Sequence, residues 1–340
     1  MAEVLVTGGT GYIGSHTVVE LQKEGYEVII IDDLSNSYIS VLDNIEKISG
    51  KRPVFYEIDL REKEKVTSVF EQHKFESIIH FAAKKAVGES VEKPLMYYDI
   101  NINSLLILLS HMDQFKVKDI VFSSSCTVYG QPDKLPVTET SPFIAAESPY
   151  GNTKQVCEEI LRDNAKVNEH INAISLRYFN PVGAHESALI GELPTGVPNN
   201  LVPFITQTAA GIRKQLNVFG GDYDTRDGTA VRDYIHVVDL AKAHVLALKR
   251  LETAKHKDNY EYFNIGTGNG STVLEVIEAF ESSTGQKLNY KISSRRPGDV
   301  EKIYADTTLA NDDLGWKAVF GLEEMMSSAW RWQQRISNDS

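Results

Sequence analysis

Cysteine is almost missing from this 340-residue chain: only Cys126 and Cys157 occur, too few for a disulfide framework. No apolar run is long enough to span a bilayer. Positive charge is in deficit, with 35 Lys and Arg against 47 Asp and Glu and a net charge of -12. That balance argues against nucleic acid or an anionic membrane as partner. A phosphate-bearing ligand therefore requires arginines placed locally. The sequence shows no internal repeat and no low-complexity segment, and an apolar strand starts almost at Met1, so no signal peptide is expected. These absences leave a soluble, cytoplasmic globular protein as the expectation. At 42% hydrophobic and 24% charged residues, it has ample material for one large domain or two closely joined ones.

What is present is organised around the first fourteen residues. Glu3 to Thr7 is a short β-branched run and predicts a buried strand. Gly8, Gly11 and Gly14 follow in G-x-x-G-x-x-G spacing, and Ile13, Val18, Val19 and Leu21 then recur at helical intervals up to Gly25. Strand, glycine turn and helix together form a dinucleotide fingerprint. Glycines let backbone approach a pyrophosphate, and a helix N-terminus supplies free N–H groups and a positive dipole end. A second strand, Val28 to Ile31, ends in Asp32 and Asp33. A carboxylate there accepts hydrogen bonds from an adenosine ribose 2′-OH and repels a 2′-phosphate, which favours NAD over NADP.

Strand and helix signals then alternate. Strands are predicted at 53–58, 77–82, 119–124 and 172–177, with helices at 62–72, 94–112 and 149–165. Alternating βα units imply a parallel sheet covered on both faces, with ligands at the carboxyl ends of its strands. Gly8, Asp32, Asp59, Ala82 and Ser125 all fall there. Residues 181–200 read as a long Gly/Pro-containing loop of the kind that is usually functional. A helix at 201–212, a strand at 216–219, a polar loop at 220–232, a helix at 237–251, a strand at 262–265 and a helix at 273–280 follow. The expected fold class is α/β: a doubly wound, Rossmann-type parallel sheet with a smaller C-terminal α/β domain that binds substrate. Residues 1–180 form the NAD-binding domain, segments at roughly 233–265 return to it, and 181–340 form the second domain.

One constellation carries chemistry. Ser125 follows the fifth strand, and Tyr150 and Lys154 open the next helix at i, i+4 spacing, on one face. Oxidising a secondary alcohol needs a hydride acceptor and a base for the hydroxyl proton. A free tyrosine, with a pKa of about 10, is a poor base at neutral pH. A nearby ammonium and a positive nicotinamide favour the phenolate. Tyr150 is therefore expected as acid/base, Lys154 as its electrostatic activator and Ser125 as the group that orients the reacting oxygen.

G-x-x-G-x-x-G combined with Y-x-x-x-K resembles the extended short-chain dehydrogenase/reductase family. Longer strings, among them VTGGTGYIGSHT (6–17), FSSSCTVYG (122–130), SPYGNTK (148–154), LRYFNPVGAH (176–185), DGTAVRDYIHVVDLA (227–241) and RRPGD (295–299), are similar to its nucleotide-sugar 4-epimerases along nearly the whole chain. The resemblance implies interconversion of UDP-galactose and UDP-glucose: transient oxidation at sugar C4 by tightly held NAD, rotation of the 4-keto sugar, and hydride return to the opposite face. A side activity on UDP-N-acetylhexosamines is an open expectation, set in part at Ile303. By motif, the resemblance places Gly8, Gly11, Tyr12, Ile13, Gly14, Asp32, Asn36, Asp59, Leu60, Phe81, Ala82, Lys85, Tyr150, Lys154 and Phe179 at the cofactor. Asn101 joins them in place of the family's Asn at the Ile100 position. It places Ser125, Asn180, Asn200, Leu201, Arg232, Arg296 and Asp299 at the nucleotide sugar. Arginine suits phosphate through its bidentate fork. No metal is expected, since His185 and Glu186 lack a partner at ligand spacing. A homodimer through the helices after Pro94 and Pro149 is expected. Two rival readings remain: a 4,6-dehydratase or decarboxylase on the same fold, and a non-catalytic NAD-sensing regulator. The former is disfavoured because dehydratases place an Asp-Glu pair where this chain has Cys126 and Thr127, neither of which can act as a carboxylic acid. The latter has no reason to keep Ser125, Tyr150 and Lys154 together.

Overall fold

Short β-branched runs separated by amphipathic segments are realised as strands and covering helices. The structure, a computed structural model, describes residues 2–295 and 300–338. The first half runs β1 (Glu3–Thr7), α1 (Tyr12–Lys23), β2 (Glu27–Asp32), α2 (Val41–Ser49), β3 (Val54–Glu57), α3 (Lys63–Gln72) and β4 (Phe75–His80). It continues with α4 (Val87–Glu92), α5 (Pro94–Phe115), β5 (Asp119–Ser123), α6 (Pro149–Val167) and β6 (Asn172–Tyr178). The rest comprises β7 (Asn180–Val182), α7 (Leu201–Ala209), β8 (Leu216–Phe219), β9 (Val231–His236), α8 (Val237–Glu252) and β10 (Tyr260–Ile265). Last come β11 (Gly270–Thr272), α9 (Val273–Thr284), β12 (Tyr290–Ser293), β13 (Lys302–Ile303) and α10 (Leu322–Asn338).

Seven strands form one parallel sheet in the order β3-β2-β1-β4-β5-β6-β10. Successive side chains of a strand face opposite ways. Val4 and Val6 accordingly pack under α1, α2 and α8, while Leu5 packs under α3, α5 and α6. The strand order reverses between β1 and β4, and that reversal opens a crevice beyond the carboxyl ends. A four-stranded sheet joins β11, β9, β13 and β7. With β8, β12, α7, α9 and α10 it stands over that edge, around a second core of Ile205, Tyr234, Val276, Phe280 and Met326.

Several elements differ from expectation. Strand β9 begins inside the expected 220–232 loop, and β7 sits where the long loop was to start. Strand β7 has only three residues, and both are held by pairing with distant partners, so no local period marks them. Helices α2, α4 and α10 are additional to the expected elements. Helix α7 stops at Ala209 rather than Ile212, before Gly211 at φ +74°. On α5, Leu95 and Leu106 are exposed, and Leu105, Leu108 and Leu109 are buried. Among the described residues no helix is long and apolar enough to cross a membrane, and no cluster of three His, Cys, Asp or Glu is placed to hold a metal.

Candidate active site

The glycine turn shows why it is built of glycine. A Cβ on Gly14 would lie 2.2 Å from the Gly8 carbonyl oxygen, and one on Gly8 would lie 2.7 Å from the Ala82 nitrogen. The turn is therefore pressed against β4 and against α1 at once. Helix α1 starts at Tyr12 with no side-chain cap and no acidic residue in its first turn. Its leading N–H groups have no intrahelical acceptor and face the crevice, an arrangement that fits a dinucleotide pyrophosphate. At the end of β2, Asp32 is almost buried. Its Oδ2 accepts from Thr10 N–H (3.2 Å), and its Oδ1 accepts from Leu34 N–H (3.0 Å) and the Ser37 hydroxyl (3.2 Å). The carboxylate is thus fixed at the cleft wall, where a ribose diol fits. Asp59 accepts from Arg61 Nε (3.0 Å), and this pairing holds its carboxyl below the usual range.

The second group of residues comes from β5 and α6. Pro149 opens α6, and the Ser148 hydroxyl caps it by accepting from Gly151 N–H (3.2 Å). That start phases Tyr150 and Lys154 inward. Lys154 Nζ donates to the Ser123 carbonyl (2.8 Å) and lies 4.6 Å from the Phe122 ring centre and 6.0 Å from that of Tyr150. Burial lowers its ammonium to about 8. Ser125 Oγ accepts from Thr127 N–H (3.2 Å), which leaves its own proton to donate into the cleft. Burial dominates and pushes Tyr150 well above its ordinary value, with the Tyr178 hydroxyl adding to the rise and Ser125 opposing it. The phenolate needs further positive charge beside it to form near neutral pH.

The facing wall is built by β7, β8, β9 and the segment between β7 and α7. Asn200 ends that segment as the N-cap residue of α7, which also lacks a side-chain cap and first-turn acids. Its amide donates to Glu192 Oε1 (2.6 Å), which lies 3.5 Å from Lys85 Nζ. Tyr12 Oη donates to the Gly183 carbonyl (2.6 Å), and Thr195 Oγ1 donates to Asn36 Oδ1 (3.1 Å). These contacts tie the two walls together. Arg232 on β9 donates to the Val231 carbonyl (2.9 Å) and lines the same space.

One cleft of about 1400 Å³ holds nearly every expected residue. Gly8, Gly11, Tyr12, Ile13, Gly14, Asp32, Asn36, Asp59, Leu60, Phe81, Ala82, Lys85, Tyr150, Lys154 and Phe179 line it. So do Ser125, Asn180, Asn200, Leu201 and Arg232. Asn101 does not. Its Oδ1 accepts from Lys84 N–H (2.8 Å), and its Nδ2 donates to the Lys84 carbonyl (3.0 Å) and Thr153 Oγ1 (3.0 Å), so the amide is fully used in bracing a loop. Ile100 lines the cleft instead. Arg296 and Asp299 lie outside the described residues. Sequence reasoning missed Glu192, Tyr178 and the β8 residues Leu216 to Phe219, all of which line the cleft. The β8 strand itself was expected, but nothing local said that it reaches the site.

The family model described as GDP-mannose 4,6 dehydratase matches residues 5–329. The chain belongs to the extended short-chain dehydrogenase/reductase family, and within it to the UDP-glucose 4-epimerases. A UDP-glucose 4-epimerase of Bacillus subtilis is 52% identical, over 98% of this chain and 98% of that protein. The crystal structure of UDP-glucose-4-epimerase from Stenotrophomonas maltophila with bound NAD and formylated UDP-arabinopyranose superposes with a TM-score of 0.97. It is 48% identical, with both chains fully covered. That from Bifidobacterium longum in complex with NAD+ and UDP gives 0.95 at 47% identity, again over the whole of both chains.

Proposed function

We propose that the chain epimerises UDP-hexoses at C4, interconverting UDP-galactose and UDP-glucose with a bound NAD that is regenerated in each cycle. The observation that carries this reading is the convergence of Ser125, Tyr150 and Lys154 with the uncapped α1 N-terminus in a single cleft. A cleft of about 1400 Å³ exceeds what one small ligand fills, and suits a dinucleotide beside a nucleotide sugar. NAD, when bound, supplies a hydride acceptor at C4 and gives the hydride back.

The chain's own residues do the rest. The α1 N-terminus and Asp32 hold the dinucleotide, with Asn36, Asp59, Leu60, Phe81, Ala82, Lys85 and Phe179 around it. Tyr150 takes and returns the C4 hydroxyl proton. Ser125 donates to that oxygen, and Lys154 supplies positive charge. The α7 N-terminus, entered through Asn200 and Leu201, offers a second anion site for the sugar nucleotide's diphosphate, with Asn180 and Arg232 lining the same cleft. Phe219 of β8 lines the same cleft. The sugar is then held at its UDP end and is free to turn. In this division of labour, residues 1–180 with α8 and β10 serve the cofactor, and the remainder serves UDP.

Elimination, the chemistry in the matching family model's description, lacks an acid here. Burial pushes the Cys126 thiol up to about 12, and Thr127 carries only a hydroxyl. Ile303 packs with Val128, Tyr129 and Phe179 in the cleft wall, where the extra bulk of an N-acetylated sugar is admitted or refused. The exposed Leu95 and Leu106 of α5 support a homodimer through α5 and α6, and the free thiols of Cys126 and Cys157 suit the cytoplasm.

The test is direct. Purified protein is incubated with UDP-galactose, with no NAD added, and the nucleotide sugars are resolved by chromatography. UDP-glucose is expected to accumulate to equilibrium. No product, or a dehydrated keto sugar, contradicts the proposal. UDP-N-acetylgalactosamine run alongside reports the side activity.

A further inference from the structure

We propose that Glu158 is a positioning residue of this reaction: through Ser124 it holds the serine turn against Tyr150, and it sets a negative charge one helical turn from Lys154. The inference rests on the assignment of Tyr150, Lys154 and Ser125 given above.

Helix α6 carries Tyr150, Lys154 and Glu158 at i, i+4 and i+8, one stripe along one face. The β5 end presents three consecutive serines to that stripe. Lys154 Nζ donates to the Ser123 carbonyl (2.8 Å), the Ser124 hydroxyl donates to Glu158 Oε1 (2.5 Å), and Ser125 faces Tyr150. Each residue of the stripe therefore grips one serine. Glu158 is itself immobilised. Arg177 donates to it through Nε (3.0 and 3.1 Å) and Nη2 (2.6 Å), and Tyr260 Oη donates to Oε2 (3.1 Å). The Arg177 guanidinium lies over the rings of Tyr129, Phe143 and Tyr262, with its carbon 5.3, 4.8 and 4.1 Å from their centres. Both charged side chains are nearly fully buried, at 2% and 4% exposure.

A buried ion pair is weak evidence for stability, because apolar residues of similar volume often do as well. The placement of this pair suggests another use. The groups facing Lys154 are Tyr150, Cys157 and Glu158 from α6 and His80 from β4, while Arg177 of β6 lies behind Glu158. His80 is held neutral by burial, down to about 3. Cys157 and then Glu158 favour the ammonium; burial pushes the Cys157 thiol up to about 11, so near neutral pH Glu158, fixed by Arg177, is the one of the two that carries a negative charge.

The experiment compares Ser124→Ala, Glu158→Gln and Tyr150→Phe in the full-length enzyme with its NAD, reading kcat and KM for UDP-galactose across pH. Ser124→Ala keeps the ion pair, so its folding is not at issue. Its kcat is expected to fall about tenfold with KM within about twofold, because a small misplacement of the serine turn costs turnover more than binding. Glu158→Gln is expected to move the alkaline limb of the kcat profile to lower pH by about half a unit, as Lys154 loses its charge more readily. If Ser124→Ala keeps wild-type kcat and Glu158→Gln keeps the wild-type limb while Tyr150→Phe is inactive, the inference is overturned and the site assignment stands. If Tyr150→Phe stays active, the site assignment fails, and this inference with it.

Discussion

Tyr150→Phe lowers kcat on UDP-galactose by about 10³-fold and leaves NAD and UDP bound, the loss typical of removing a positioned acid/base group. The substitution deletes one oxygen from a nearly buried ring. It removes no charge and opens no cavity, so folding is preserved. Lys154 keeps its bond to the Ser123 carbonyl, so the positive charge also stays in place. What disappears is the hydroxyl proposed to carry the C4 proton. Turnover is followed by chromatography of UDP-glucose, and retained cofactor by absorbance after denaturation. Near-full activity in the variant would remove Tyr150 from its role. The same geometry sets a pH dependence. Lys154 is held at about 8, so its ammonium is complete well below that pH and is lost as pH rises through it. Activity therefore declines on the alkaline side.

The second large effect is expected at Gly14→Ala. The added methyl would stand 2.2 Å from the Gly8 oxygen, 2.9 Å from Gly9 Cα and 3.0 Å from the Gly8 carbonyl carbon. All three are backbone atoms, so no flexible side chain can yield. Relief requires the glycine turn to move off the start of α1, which is where a pyrophosphate needs it. Purified variant is expected to carry no NAD, to melt several degrees lower, and to lose about 1–3 kcal/mol or more by overpacking. Cofactor content and a thermal melt check both parts. A variant with full cofactor and an unchanged melt would show that the turn has slack that the structure does not display.

Much of this was legible in the residues, for a physical reason: the informative features are local. Strand, glycine turn, helix and Asp32 lie within one βαβ unit, and Tyr150 and Lys154 are one helical turn apart. What was not legible depends on how distant segments meet. Whether residue 100 or 101 faces the cleft is a matter of the roll of α5 about its axis. That roll is set by the burial of Tyr97, Leu105 and Leu108, and one residue along a helix turns a side chain by about 100°. Glu192 gained meaning only when Lys85 and Asn200, far apart in sequence, were brought to it. Glu158 and Arg177 look like ordinary helix and strand charges until β6 is laid beside α6. Beside Tyr150, the partner Lys154 is visible in the sequence, whereas the depth of burial that pushes the phenol up is not.

In the proposed reaction C4 is oxidised and reduced again within one cleft, by a cofactor that never leaves it. UDP-[4-²H]galactose, converted with no added NAD and followed by mass spectrometry and NMR of the product, puts this to the test. The expected product is UDP-glucose that keeps the deuterium on an inverted C4. Deuterium lost to solvent, or found at C6 of a deoxy keto sugar, would contradict it.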